Sequence, residues 1–344
     1  MKVLNYLEME SRLHRSGIGT STQHQRTALG LTDFNVVSSP WNFKYKPNHS
    51  VICEFDIAHC NLFGPYSVLV AKTALSRKKP LILHAHVTAE DFADSFRGST
   101  KLSRPLRSYL RWFYSQADRV ICPSNYTKNI LQSYPIKSPI SVMSNGVDID
   151  SLQGFESLRE DYRSKYDLSG LTVFSVGNVF ERKGLTTFCT LAQSTNYNFV
   201  WFGPYETGPI ASPSVKKWTR INLPNLTFTG WIPDKRGAYA AGDIFCFPSK
   251  VENQGISVLE AMACGKAVVL SDIPVFEEYY THGKDCLMCH SIDDFKNAID
   301  LLHQDDSLYK KLCKNAQKTA NKHTLNILSE NLEDIYVSTF DNTI

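Results

Sequence analysis

Residues Asp243–Asp272 read DIFCFPSKVENQGISVLEAMACGKAVVLSD, and the folding of this stretch decides the rest. "IFCFPS" is a β-rich apolar run, "KVENQG" a polar loop, "SVLEAMAC" an apolar helical pattern, and "AVVLSD" a second apolar run. Strand, loop, helix and strand in that order make a crossover unit, which places its two strands parallel in one sheet. Gly265 follows the helical run, where a left-handed residue ends a helix. Two acids interrupt the apolar pattern, Glu252 in the loop and Glu260 within the helix. Ser257 and Glu260 form S-x-x-E, which predicts a capping box over the first amides of the helix. That leaves Glu252 unexplained. A carboxylate ahead of a helix accepts hydrogen bonds from sugar hydroxyls. The loop amides of Asn253, Gln254, Gly255, Ile256 and Ser257, backed by the helix dipole, suit phosphate oxygens.

Outward from this unit the same alternation covers the chain. Strand-like runs "KVLNYL", "FNVVSS", "DIAHCN", "PLILHAHV", "RVICPS" and "ISVMS" precede "LTVFSVGN", "NFVWFG" and "NLTFTG". Their near-continuous hydrophobicity predicts parallel strands covered on both faces. A polar stretch from Asn145-Gly146 to Ser169-Gly170 separates the two sets. The expected fold is therefore α/β, with two Rossmann-like doubly wound domains. Their boundaries are placed at 1–165 and 166–322, with 323–344 a helix bracing back on the first domain. Ligands of such sheets sit beyond the C-terminal strand ends.

Three further motifs fall at strand ends. "SVGNVFERKG" closes a strand at Gly177-Asn178 and then presents Arg182-Lys183, two adjacent cations suited to a diphosphate. "SGIG", holding Gly17 and Gly19, reads as a tight loop between the first strand and a helix, yet position 22 is Thr, so G-x-G-x-x-G fails. "LILHAHVTAEDF" ends a strand with His84 and His86, which alternation puts on one face. No third metal ligand accompanies them. Asp148-Ile149-Asp150 spells D-x-D but follows "SNGV" at the junction, which reads as turn chemistry, so no metal site is expected.

The E-x7-E spacing of Glu252 and Glu260 followed by "AMACGKAVVLSD" resembles the C-terminal signature of retaining GT-B glycosyltransferases of family 4. The resemblance implies two domains facing a cleft. It implies that Glu252 contacts the donor-sugar hydroxyls, that Glu260 binds the nucleotide ribose, and that Arg182 and Lys183 grip the diphosphate. It further places Gly17 and Gly19 in a loop near the donor phosphate or the acceptor, and His86 in the active site near the donor sugar, with His84 in reserve. Family members often carry Gly-Phe-Gly-Leu after the first acid, where this chain reads Asn253-Gln254-Gly255-Ile256. "RSGIGTSTQHQRTAL", "HAHVTAEDF" and "ENQGISVLEA" look most like the diglycosyldiacylglycerol synthases. The function so implied is metal-independent transfer of glucose or galactose from a UDP-sugar to a glycolipid such as monoglucosyldiacylglycerol, in glycolipid or lipoteichoic-acid anchor synthesis. The UDP-sugar is then a substrate and no cofactor is expected. A soluble or undecaprenyl-linked glycan is the runner-up acceptor. A nucleotide-sugar epimerase or a non-catalytic sugar-nucleotide module shares the architecture, but an epimerase has no need of the basic segment from Ser95 to Ala117.

That segment, "SFRGSTKLSRPLRSYLRWFYSQA", holds Arg97, Lys101, Arg104, Arg107 and Arg111 with Trp112 and no acid. It predicts either a basic amphipathic helix on anionic lipid or a surface helix with a core stripe. The 344 residues carry a net charge of only +3, so nucleic acid is not an expected partner. No run approaches a membrane span, and "MKVLNYLEMESRL" reads as a first strand rather than a secretory signal. Nine scattered cysteines fit reduced thiols, and so a cytoplasmic protein, peripheral on the inner membrane face. The sequons at Asn48, Asn125 and Asn225 then carry no weight. "CLMCH", Cys286–His290, matches haem attachment in spelling but reads as a short buried strand.

Overall fold

The computed structural model describes residues 1–38 and 54–342, so the Asn48 sequon lies outside the described residues. Two six-stranded parallel sheets carry the chain. The first runs in the order β2-β1-β3-β4-β5-β6. Its strands are β1 (Lys2–Tyr6), β2 (Asn35–Val37), β3 (Ile57–Cys60), β4 (Leu81–His84), β5 (Arg119–Cys122) and β6 (Ile140–Val142). The second runs β12-β11-β10-β7-β8-β9. It is built from β7 (Thr172–Val176), β8 (Asn198–Phe202), β9 (Leu226–Gly230), β10 (Ile244–Phe247), β11 (Ala267–Ser271) and β12 (Leu287–Cys289). The fold is the α/β, GT-B type with two doubly wound domains. Every strand run read from the sequence forms, because strands such as Ile244–Phe247 are buried along their whole length.

By their contacts the residues form two units. Unit 1 comprises 1–89, 103–146 and 323–344, and unit 2 comprises 90–102 and 147–322. The polar stretch from Val147 onward thus belongs with unit 2, and so does the short segment 90–102 from the first half of the chain. The reason is specific: Arg163 and Arg159 both reach Asp243, and Arg163 also bonds the carbonyls of Ala241 and Gly170.

In unit 1, the C-terminal helix Leu325–Asp341 buries Leu328, Leu332 and Tyr336 in a cluster with Val3, Ala28, Ile57, Ile82 and Ile121. The two acids that follow β1 have structural partners. Glu8 accepts hydrogen bonds from the Ser67 amide and hydroxyl at the start of the helix Pro65–Ser76, and Glu10 forks onto Arg26. In unit 2, Trp201, Phe188, Phe199, Val173 and Ile299 fill one side of the sheet. Gly184 has φ 80°, and a Cβ there would lie 1.9 Å from the Pro248 carbonyl oxygen. Only glycine lets the turn after β7 lie against the loop after β10.

Candidate active site

In the second sheet the strand order reverses between β7 and β10, so the loops after these strands diverge and leave a crevice at their C-terminal ends. Gly177-Asn178 follows β7 and Glu252 follows β10. Arg182 and Lys183 lie in the short 3-10 turn Glu181–Lys183 just beyond. That turn is bonded to the opposite loop: the Lys250 amide donates to the Arg182 carbonyl.

The side chains converge. Lys183 Nζ lies 2.7 Å from Glu252 Oε1, Arg182 Nη1 lies 3.7 Å from the same oxygen, and Ser249 Oγ donates to it at 2.8 Å. Burial alone would raise the Glu252 carboxyl. The charges of Lys183 and Arg182, with the Lys183 and Ser249 hydrogen bonds, outweigh it and hold the acid below its usual range. Glu252 is therefore an anion. Lys183 also lies 4.9 Å from the centre of the Phe247 ring. Arg182 is oriented by groups the sequence reading missed. Its Nη1 meets Asp91 Oδ1 at 2.9 Å and its Nε donates to Ser95 Oγ at 2.9 Å. These contacts help place 90–102 in unit 2. Burial pushes the Asp91 carboxyl up in spite of the Arg182 charge, with Glu252 adding to the push.

Glu260 lies inside the helix Ile256–Ala263 and is buried. Lys235 Nζ meets its Oε1 at 2.6 Å, and the Tyr239 hydroxyl donates to its Oε2 at 2.6 Å. Burial opposes the Lys235 charge, but Glu260 prevails and holds the ammonium above its usual value. Tyr239 is pushed well up by burial and by Glu260, so its phenol stays a donor.

The capping box is not formed. Gly255, at φ 88°, is the N-cap, no side chain caps the helix, and Ser257 is already inside it. The Glu260 carboxylate is taken by Lys235 and Tyr239, which offer a charge and a buried phenol where the cap would offer one amide. Asn253 and Gln254 are buried in the loop ahead of the helix, whereas Ile256 and Ser257, read as loop, are its first two residues. Gly265, at φ 63°, ends the helical segment as read.

Unit 1 holds His86, Gly17 and Gly19. The loop reading of "SGIG" is corrected: Gly17–Leu29 is helix from its first residue, with Ser16 as N-cap accepting from the Gly19 amide. Gly19 serves close packing, since a Cβ there would lie 2.2 Å from the Leu13 carbonyl oxygen. His86 lies in a stack of three histidines, of which the sequence reading named two. The rings of His84 and His86 stack at 3.8 Å, and His59 stacks on His84 at 5.4 Å. Burial pushes His86 down to about 3 and, with His86 beside it, His59 to about 3; His84 is held well below its usual value by burial and both neighbours. All three are neutral imidazoles. Tyr336, Gln25 and Asn61 bond His59, His84 and His86 respectively.

The basic segment forms the helix Ser99–Tyr114, with Pro105 inside it. It has the core stripe of a surface helix and an exposed basic face. Leu110, Phe113 and Tyr114 are core, while Lys101, Arg104, Arg107, Arg111, Leu102 and Trp112 are exposed. Arg107 is engaged locally, donating to Ser133 and lying 4.8 Å from the Tyr134 ring centre. Asp148 accepts from the Ser151 amide and so caps a turn. Cys286 and Cys289 are buried free thiols and His290 pairs with Asp272, so "CLMCH" is the end of a sheet. Among the described residues no group of three or more His, Cys, Asp or Glu could hold a metal, and no helix is long and apolar enough to cross a membrane.

Comparison with known proteins follows the same division. The family described as Glycosyl transferases group 1 matches residues 159–319, and Glycosyltransferase Family 4 matches residues 36–151. The chain is 30% identical over 344 residues to the processive diacylglycerol alpha-glucosyltransferase of Acholeplasma laidlawii, with 98% of each chain covered. It is 24% identical over 236 residues to the alpha-galactosylglucosyldiacylglycerol synthase of Streptococcus pneumoniae, covering 65% of this chain and 62% of that one. The crystal structure of Anabaena Alr3699/HepE in complex with UDP and glucose matches in fold, with a TM-score of 0.79 at 20% identity. That match covers 98% of this chain and 100% of the other.

Proposed function

The chain belongs to the family 4 glycosyltransferases, and from that premise we propose that it moves glucose or galactose from a UDP-sugar to a glycolipid acceptor such as monoglucosyldiacylglycerol. Transfer retains the anomeric configuration and uses no metal ion. The observation that carries this reading is the buried meeting of Lys183 and Arg182 with Glu252 at the β7/β10 crevice. Breaking the sugar–phosphate bond leaves negative charge on the departing nucleotide. Fixed cations in a water-poor site stabilise that charge without reorganising, which is where most of the rate is gained. Once a diphosphate takes Lys183 and Arg182, Glu252 turns its acceptor oxygens to the hydroxyls of the sugar. Glu260, paired with Lys235, accepts from the ribose hydroxyls. His86 is neutral, so its part is to orient a hydroxyl by hydrogen bonding rather than to supply charge.

The relatives' acceptors are diacylglycerol lipids by name, which supports a lipid acceptor here. An enzyme with a lipid acceptor has to reach a bilayer surface, and exposed Arg104, Arg111, Leu102 and Trp112 supply cations and apolar bulk for a peripheral stay on an anionic inner leaflet. UDP-glucose and UDP-galactose offered with monoglucosyldiacylglycerol vesicles should give a diglycosyl lipid with an α-linkage. Transfer only to a soluble or undecaprenyl-linked glycan would remove the acceptor assignment and leave the donor assignment standing.

A further inference from the structure

Beneath His86 lies a chain of side-chain amides whose hydrogen-bond directions can be worked out from one fixed point. Arg26 is held by a two-pronged contact with Glu10, and a guanidinium only donates. Its Nε points at Asn5 Oδ1 from 3.2 Å, so that atom must be the oxygen of the amide. The other arm of Asn5, Nδ2, then donates to Gln25 Oε1 at 2.8 Å. Gln25 Nε2 must in turn donate, to Asn61 Oδ1 at 2.9 Å and to His84 Nδ1 at 3.1 Å. Asn61 closes the loop by donating from Nδ2 to Asn5 Oδ1 at 3.3 Å. The last contact is His86 Nε2 to Asn61 Oδ1 at 3.0 Å. An amide oxygen only accepts, so His86 must carry its proton on Nε2 and its lone pair on Nδ1.

We propose that Arg26, acting through Asn5, Gln25 and Asn61, is a positioning residue that locks His86 in its Nε2–H form, so that any hydrogen bond its ring accepts is accepted at Nδ1. This rests on the reading of His86 as an active-site residue. The device is polar yet uncharged at its working end. Asn5, Gln25 and Asn61 are all buried, and a buried amide with its ends reversed would face oxygen against oxygen. Reversing any one amide therefore costs the whole chain, and a single donor-only side chain dictates the tautomer three residues away.

The test needs no variant to begin. In the full-length protein labelled with ¹⁵N-histidine, with His86→Gln used to assign the signals, the imidazole of His86 should show hydrogen on Nε2 and a bare Nδ1 at neutral pH. Hydrogen on Nδ1, or on both nitrogens, overturns the proposal. Two variants of Arg26 then separate polarity from packing. Arg26→Lys can still only donate, and it should keep the tautomer and most of kcat. Arg26→Gln can accept as well as donate. It should give a mixture of tautomers and lower kcat about tenfold, the usual scale for a group that orients a site residue from behind. In a His86→Gln background Arg26→Gln should cost nothing further in kcat. An equal loss in both backgrounds, or an unchanged tautomer in folded Arg26→Gln, means that Arg26 acts only on the fold. If His86→Gln alone keeps full turnover, the reading of His86 fails while the tautomer result still stands or falls by itself.

Discussion

Unit 1 and unit 2 each place polar side chains at the C-terminal ends of a six-stranded parallel sheet, yet they solve burial in opposite ways. In unit 2 the groups are charged and compensate one another: Lys183 and Arg182 on Glu252, Arg182 on Asp91, Lys235 on Glu260. In unit 1 they are neutral, three stacked imidazoles braced by Asn61, Gln25 and Tyr336. A buried charge persists only where a partner meets it, whereas a buried imidazole drops its proton. The contrast matches a division of labour in which one unit handles the charge of a leaving nucleotide and the other orients uncharged hydroxyls.

The contrast breaks most directly at Lys183. Lys183→Met removes a cation from the proposed leaving-group site and should lower kcat/KM for the sugar nucleotide by about 10² to 10³, the scale for loss of one preorganised electrostatic contact. Wild-type turnover in that variant would end the leaving-group role. Acid should then separate the units. Each histidine has a folded pKa well below its unfolded value, so below about pH 6.5 the unfolded state binds protons the folded one refuses. Stability rests on these groups being neutral, and it falls by roughly 1 kcal/mol per pH unit for each histidine as pH drops. Glu252 is lowered too, but from the lower ordinary value of a carboxyl: its contribution is full above that value and is lost only below it. Hydrogen exchange between pH 6.5 and 5 should therefore show unit 1 losing protection while the Glu252 loop keeps it; equal loss in both would contradict the neutral stack.

Smaller effects sharpen the picture. Glu260→Gln keeps a partner for Tyr239 but loses the pairing with Lys235, and should raise the donor KM by about tenfold with little change in kcat, since a uniform binding contact is lost. Arg111→Glu should weaken binding to anionic vesicles by roughly fivefold per unit of charge removed, at about 1 kcal/mol each. It should leave thermal stability within about 0.5 kcal/mol, because Arg111 is exposed.

Much of the fold was legible because strands buried on both faces advertise themselves: "IFCF" and "AVVLS" have no reading as surface chain. The charged residues of the site were legible where they are neighbours in sequence, as Arg182 and Lys183 are. Their partners were not. Asp91 and Ser95 reach Arg182 from about 90 positions earlier, and Lys235 and Tyr239 reach Glu260 from the short helix before β10. Nothing local marks such pairings. The capping box failed for a related reason: the S-x-x-E pattern is local, but a cation and a phenol from elsewhere took the acid first. His59 did leave a trace, a histidine inside the apolar run "DIAHCN", where an imidazole has no solvent to face. The stack it starts could have been suspected from His84, on the same face of the next strand two residues beyond Ile82, the register partner of His59.

The closing helix has one more consequence, for biosynthesis. In sequence, unit 2 is inserted between segments of unit 1, whose segment 323–344 is made after the rest of both units. His59 therefore waits for Tyr336, 277 residues later, and at about 5–20 residues per second the ribosome needs roughly 15 to 55 seconds to supply it. Until then the nascent first sheet carries its histidines with one flank uncovered, and the second unit is free to fold first.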